Sequence, residues 1–352
     1  MRGKCGERTG MIPQDRVFII AEAGVNHNGS VDIAIRMVEE ARHAGADSIK
    51  FQSFNSDKLA SRFAEKAEYQ KQNTEGAEGG YGQYEMLKRL ELSEDDHRAL
   101  LAHCRKNGIL FLSSPFDEGS ADLLAHLDVP AYKIPSGEVT NHGFLRHVAL
   151  KRRPIILSTG MSTLAEVAEA VEVIVGAGNE QLFLLHCVTE YPAPVAEVNL
   201  KAMVTLANAF GFPVGYSDHT PGLEIAVAAA ALGARIIEKH FTLSKDMAGP
   251  DHRASLEPHE LKAMVQAIRN VEKALGDGIK MPAPCERENM PIARKSIVAT
   301  RDIASGERIS RENIAIKRPG YGIQPKDIEK VIGLRAATDI EAEGVLTWDD
   351  LK

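Results

Sequence analysis

The chain has little that would tie it to a membrane, a polyanion or an oxidising compartment. No apolar run in its 352 residues approaches the roughly 20 needed to span a bilayer. The opening MRGKCGERTG holds no hydrophobic stretch of the kind a signal peptide carries and is expected to be a frayed lead-in. Positive charge is not in excess. With 42 Lys and Arg against 49 Asp and Glu the net charge is −7, which disfavours nucleic acid as a partner. An anionic small substrate stays compatible, because a few lysines in one pocket decide that locally. The 4 cysteines, Cys5, Cys104, Cys187 and Cys285, are scattered without a CxxC spacing. Reduced thiols and a cytoplasmic location are therefore expected. A Gly-rich dinucleotide turn is missing after the first apolar run, which argues against an open doubly wound sheet.

What is present is ordinary globular composition, 44% hydrophobic and 26% charged, over a length that allows one large domain or two smaller ones. Short β-like runs fall at residues 17–21, 48–52, 109–112, 131–134, 154–157, 181–185, 212–216 and 234–237. Polar residues and then a helical pattern follow each run. Ser30 is placed to cap a helix with Ala34, Met37, Val38 and Ala41 on one face, and Gly45 to stop it. The last helix is expected to start at Pro258 and to bury Leu261, Met264, Val265, Ile268, Val271 and Leu275, ending at Gly276. Residues 55–82 show no core pattern and read as a loop over the rim. Eight β-then-α units match a (β/α)8 TIM barrel. The expected division is a barrel over 1–280, a proline-bearing linker over 281–295, and a small mostly-β domain over 296–352 built from SIVAT, ENIAIKRPG and ATDI through VLTW.

In such a barrel the functional groups stand at the C-terminal strand ends. His219 in GYSDHT and His240 in EKHFT end two successive runs joined by a crossover helix, so their imidazoles can converge on a divalent metal. By two-residue alternation Glu238 and His240 share a face that Lys239 does not. Lys50 and Gln52 likewise share one face, with Phe51 on the other. Lys50 and Lys133, with hydroxyls at Ser113, Ser114, Ser136, Ser158 and Ser217, supply what a phosphate and a carboxylate need. Glu22 and Glu138 are carboxylates for acid–base work or for holding a water; ion pairs to Lys50 or Lys133 are equally open to them.

The ordered runs AEAGVNHNGS, IKFQSF, LSSPFD, PAYKIPSGE, PIILSTGM, LLHCVTEYP, GYSDHT, EKHFT and GPDH resemble the sialic acid synthase family. That family comprises N-acetylneuraminate synthases and their legionaminate and pseudaminate relatives. SIVA and IKRPGYG resemble its C-terminal antifreeze-like (SAF) domain, so the likeness covers nearly the whole chain. It implies metal-dependent condensation of phosphoenolpyruvate with an N-acetylated mannosamine-type sugar and water, giving a nine-carbon 2-keto-3-deoxy acid and phosphate. The metal implied is Mn2+ or Mg2+, held by His219 and His240. Lys50, Ser114, Lys133, Ser136, Ser158 and Ser217 resemble the phosphoenolpyruvate cradle, and Glu22 and Glu138 the catalytic carboxylates. Gln52, Asn73, Thr189, Tyr191 and Asp251 fall at sugar-contact positions. Arg318 resembles an arginine that the SAF domain of one subunit lends to its partner, which implies a domain-swapped homodimer. The first expectation is an N-acetylneuraminate synthase. The alternative is an N,N'-diacetyllegionaminate synthase acting on 2,4-diacetamido-2,4,6-trideoxymannose, which the excursion AEYQKQNT resembles more closely. Thr189 where an Asn can occur, and Arg294 where an aromatic can, bear on the identity of the sugar rather than on the chemistry.

Two other classes compete with this reading. A Schiff-base pyruvate aldolase with Lys133 as its amine would need no histidine pair. An ice- or ligand-binding role for the last domain would need a flat, weakly charged face, whereas ATRDIASGERISRENIAIKRPG is charged throughout.

Overall fold

A computed structural model describes residues 11–66, 70–71 and 82–352. The lead-in 1–10 with Cys5, the candidate sugar contact Asn73, and most of the excursion AEYQKQNT lie outside the described residues. The chain divides into two compact units, Met1–Gly276 and Asp277–Lys352.

The first unit is a barrel of parallel strands. They are β1 (Phe18–Gly24), β2 (Ser48–Ser53), β3 (Leu110–Pro115), β4 (Tyr132–Ile134), β5 (Ile155–Ser158), β6 (Leu182–Cys187), β7 (Val214–Asp218) and β8 (Ile236–His240). Their order is β3-β2-β1-β8-β7-β6-β5-β4, and every ladder is parallel. The seam closes where β3 and β4 run side by side. A helix after each strand covers the outside, as the crossover of a parallel pair requires.

Every strand but β4, which ends at Ile134 as expected, runs on past its apolar run. The sequence puts the end of the third at residue 112 and the structure at Pro115; the seventh ends at Asp218 and the eighth at His240. The added residues are polar, yet the ladder holds them beside their neighbours, so hydrophobicity stops before the strand does. Side chains alternate between two surroundings. Phe18, Ile20, Leu112, Ala131, Ile156, Phe183, Leu185 and Ile236 fill the barrel interior. Ile19, Ala21, Ile49, Phe51, Phe111, Tyr132, Ile155, Leu157, Leu184, Tyr216 and Ile237 pack outward under the helices. Two residues beyond the last interior apolar group, the same inward face carries Glu22, Ser114, Lys133, Ser158 and Glu238. The barrel therefore has an apolar plug below a polar mouth. Gly215 is on that inward face because a Cβ there would stand 2.3 Å from Ile236 O and 2.7 Å from the Leu185 side chain.

The helix Val31–Ala44 behaves as its sequence directs: Ser30 Oγ accepts from Ile33 N–H, Ala34, Met37, Val38 and Ala41 are buried, and Gly45 terminates it at φ 89°. The helix Pro258–Leu275 starts with its proline and buries Leu261, Met264, Val265 and Ile268. Leu275, expected in that stripe, is 54% exposed, because the final turn runs past the barrel wall. The segment read as a loop over 55–82 contains a helical turn, Ser56–Leu59, capped by Asn55 Oδ1 accepting from Asp57 N–H at 2.9 Å.

The second unit pairs β9 (Ser296–Ala299) with β10 (Ile314–Lys317) antiparallel, Ile297 opposite Ile316. Ile297, Ala299, Ile303, Ile309, Ile314, Ile323, Val331 and Leu346 form its core. The pieces ATDI and VLTW, read as β-like, contribute single bridges, Ile303 to Ile340 and Val298 to Val345, rather than strands. Closely spaced turns leave no room for a ladder there. Among the described residues no helix is long and apolar enough to cross a membrane.

Candidate active site

The polar mouth opens into one cavity of roughly 320 Å3. Its floor is a buried charge cluster. Lys50 Nζ lies 2.7 Å from Glu22 Oε2 and 3.8 Å from Glu238 Oε2, and donates to Ser114 Oγ at 2.9 Å. Lys133 Nζ sits 3.1 Å from Glu238 Oε1, which also accepts from Ser217 Oγ at 2.7 Å. Glu238 is thus the hub that joins both lysines across the barrel. Burial works against its charge, but Lys133 and Lys50, with the hydrogen bonds from Ser217 and Lys133, hold its carboxyl well below the usual range. Glu22 goes the other way: burial raises it to about 7, Lys50 opposes the rise, and the charge of Glu238 adds to it. Two adjacent carboxylates whose surroundings push them apart are the signature of divided acid–base duties.

Beside this floor stand the two imidazoles, ring centroids 5.3 Å apart and 70° between planes. Val188 O lies 2.6 Å from His219 Nδ1. A carbonyl only accepts, so Nδ1 carries the hydrogen and Nε2 keeps its lone pair. His240 Nδ1 is buried with no hydrogen-bond partner among the described residues. Burial lowers His219 to about 4 and His240 well below its ordinary value, the latter also through His219, so both rings are neutral. Tyr191 lies over His219 at 4.1 Å and against His240 at 5.2 Å. Two neutral, buried imidazoles with one orphaned nitrogen fit two ligand positions of a divalent ion. Among the described residues no three His, Cys, Asp or Glu side chains converge into a fuller cage, so water or substrate would supply the remaining ligands.

Of the residues singled out from sequence, Glu22, Lys50, Gln52, Ser114, Lys133, Ser136, Ser158, Thr189, Tyr191, Ser217, His219, His240 and Asp251 all line this cavity. Burial raises Asp251 to about 6. Ser158 Oγ and Thr189 Oγ1 are buried without a partner among the described residues. Gly160 N–H donates to Ser136 Oγ at 2.9 Å, and a Cβ on Gly160 would come within 2.4 Å of Thr189 Oγ1, so glycine lets β5 end against that wall.

Glu138 is not among the lining residues, although its neighbours Ser136 and Gly137 are. After β4 the turn Ser136–Glu138 abandons two-residue alternation, and the Glu138 carboxylate accepts from Asn141 Nδ2 at 2.7 Å. Arg318 belongs to the second unit, just after β10. Sequence reasoning gave no role to Glu238, although its place two residues before His240 on one face was the signal. Nor did it find the cavity's apolar side, which includes Leu59, Met86, Leu87 and Leu90.

Residues 37–280 match the NeuB family and residues 294–352 the SAF domain. The N,N'-diacetyllegionaminic acid synthase of Campylobacter jejuni is 49% identical over 333 residues, covering 94% of this chain and 99% of that one. The protein of the same description from Legionella pneumophila is 47% identical over 339 residues, covering 95% of this chain and 94% of that one. A crystal structure of N-acetylneuraminic acid synthetase from Leptospira borgpetersenii, in complex with citrate, superposes with a TM-score of 0.69 at 36% identity, over 79% of this chain and 92% of that one. The chain is therefore a member of the NeuB family, the phosphoenolpyruvate-dependent synthases of sialic, legionaminic and pseudaminic acids, with a SAF domain at its C-terminal end.

Proposed function

We propose that the chain condenses phosphoenolpyruvate with 2,4-diacetamido-2,4,6-trideoxymannose and water to give N,N'-diacetyllegionaminate and phosphate. The observation that carries the chemistry is one cavity holding a two-lysine, hydroxyl-rich floor beside two neutral imidazoles. The choice of sugar rests on the two relatives at 49% and 47% identity that bear that name, and it displaces N-acetylneuraminate as the first expectation.

Lys50 and Lys133 meet the phosphate and carboxylate of phosphoenolpyruvate, and Ser114, Ser136, Ser158 and Ser217 orient its oxygens. Glu238 offsets the repulsion between the two ammonium groups and holds them paired before substrate enters. Arrival of an anion beside Glu22 favours its protonated form further. Carbon 3 of phosphoenolpyruvate then bonds to the aldehyde carbon of the open-chain sugar, and Glu22 gives its proton to the oxygen that becomes a hydroxyl. Water bonds to carbon 2 and returns a proton to Glu22, and the C–O bond breaks to release phosphate. A divalent ion on His219 and His240, manganese or magnesium, would polarise the aldehyde oxygen as a Lewis acid. Gln52, Thr189, Tyr191 and Asp251 surround the place where the sugar would lie.

Phosphate release from phosphoenolpyruvate, measured with this sugar and with N-acetylmannosamine, each with manganese and with EDTA, tests the reading. The expected result is metal-dependent release, faster with the diacetamido sugar, one phosphate per keto acid. Preference for N-acetylmannosamine would return the assignment to N-acetylneuraminate. Pyruvate turnover trapped by borohydride and indifferent to EDTA would replace it with the aldolase.

The same proposal includes a cytoplasmic location and a domain-swapped homodimer in which Arg318 of one subunit serves the partner's sugar. Arg318→Ala and His240→Ala chains, each inactive alone, are expected on co-expression to recover about a quarter of wild-type activity by random pairing of subunits. No recovery would mean that Arg318 acts within its own chain or in the fold.

A further inference from the structure

One side of the cavity is chemically unlike the rest. Val25, Leu59, Met86, Leu87, Leu90 and Phe116 line it, drawn from the turn after β1, the short helix Ser56–Leu59, the helix Gln83–Leu90 and the turn after β3. These residues share a small core of their own. Val25, Phe54, Met86 and Leu90 are buried together, and Leu59, Leu87 and Phe116 pack against them. The rings of Phe54 and Phe116 meet edge to face at 6.2 Å. The wall is therefore backed from behind, and its half-buried members, Leu59, Leu87 and Phe116, line the cavity with apolar side chains. Nothing in phosphoenolpyruvate matches such a surface, since the lysine and serine floor already answers its phosphate and carboxylate.

We infer that this wall selects the sugar, by packing against its deoxygenated C6 methyl and the methyl of an acetamido group. The inference rests on the diacetamido reading above and deepens it. A 6-hydroxymethyl sugar would turn a hydroxyl toward side chains that can neither donate nor accept, and its hydration would be lost without replacement. A methyl in the same place keeps contact with Leu59 and Leu87 and loses nothing polar. An apolar site rejects an added hydroxyl by about a hundredfold. Gln83, on the same side, offers an amide that can both donate to and accept from an acetamido group.

The test is kcat/KM for 2,4-diacetamido-2,4,6-trideoxymannose and for N-acetylmannosamine, measured on full-length wild type, Leu87→Gln, Leu59→Gln and Leu87→Met. Wild type should prefer the diacetamido sugar. Leu87→Gln is expected to lower kcat/KM for that sugar about tenfold or more, chiefly through its KM, while N-acetylmannosamine is spared and KM for phosphoenolpyruvate holds. Leu59→Gln should shift the ratio in the same direction, and Leu87→Met, which keeps volume and apolarity, should restore it. Equal losses for both sugars in the two glutamine variants, or an unmoved ratio in both, would overturn the wall while leaving the diacetamido reading intact. Wild type preferring N-acetylmannosamine would overturn that reading, and the inference with it. Unfolding midpoints of the variants separate a changed surface from a collapsed one.

Discussion

Replacing His240 with alanine is expected to abolish turnover and remove the bound divalent ion in the same protein. The ring is 6% exposed, neutral, and carries a buried nitrogen with no partner among the described residues. An orphaned polar atom at that depth is costly unless something fills it. Its neighbour His219 is already oriented by the Val188 carbonyl, 5.3 Å away between ring centroids. Lewis-acid stabilisation supplies several kcal/mol, so its loss should slow the reaction about a thousandfold or more. The measurement is metal content by direct binding alongside kcat, for His240→Ala and His219→Ala. His186 is the control, because its Nε2 bonds Val198 O at 2.7 Å and it does not line the cavity. Normal metal stoichiometry in either active-site variant would sink the ligand assignment.

The second large effect is on stability. Behind the two histidines, on the outward faces of β7 and β8, Asp218 and Lys239 form an ion pair with side chains 0% exposed. Lys239 Nζ donates to Asp218 Oδ2 at 2.8 Å and to Thr220 O at 2.5 Å, and Thr220 N–H and Oγ1 both donate to Asp218 Oδ1. This clamp ties together the two strand ends that carry His219 and His240. Asp218→Ala would leave an ammonium buried without its counter-charge, at an expected cost of about 3–5 kcal/mol. Replacing both members with apolar residues, Asp218→Leu with Lys239→Met, should recover most of that loss, because the penalty lies in the unpaired charge rather than in the absence of the pair. Denaturant unfolding of the single and double variants reads both. A single variant that loses under about 1 kcal/mol, a surface-like value, would show that Lys239 finds another partner or reaches water.

Much of this site was legible in the order of residues. Alternation along β8 put Glu238 and His240 on one face and Lys239 on the other, and the structure keeps that assignment with Lys239 paired outward to Asp218. The same parity held for Lys50, Gln52 and Phe51 on β2. Alternation is a local property of extended backbone, so it survives being read without a partner strand. Where the backbone leaves that geometry the alternation no longer says which way a side chain faces. Glu138 follows a strand by four residues, but the intervening turn bonds its carboxylate to Asn141.

The sequence by itself therefore determined the barrel, through eight apolar runs each followed by a helix, and nearly every polar group at its mouth. Tertiary structure alone decided which groups act on one another. Barrel closure sets Glu238 between Lys50 and Lys133, residues that stand far apart in the chain, and burial there drives the two carboxylates Glu22 and Glu238 in opposite directions. It also gathers residues 25, 59, 86, 87, 90 and 116 into an apolar wall that no periodicity marks. Charge coupling and enclosure depend on distances across the barrel, and those distances exist only once non-local strands have met.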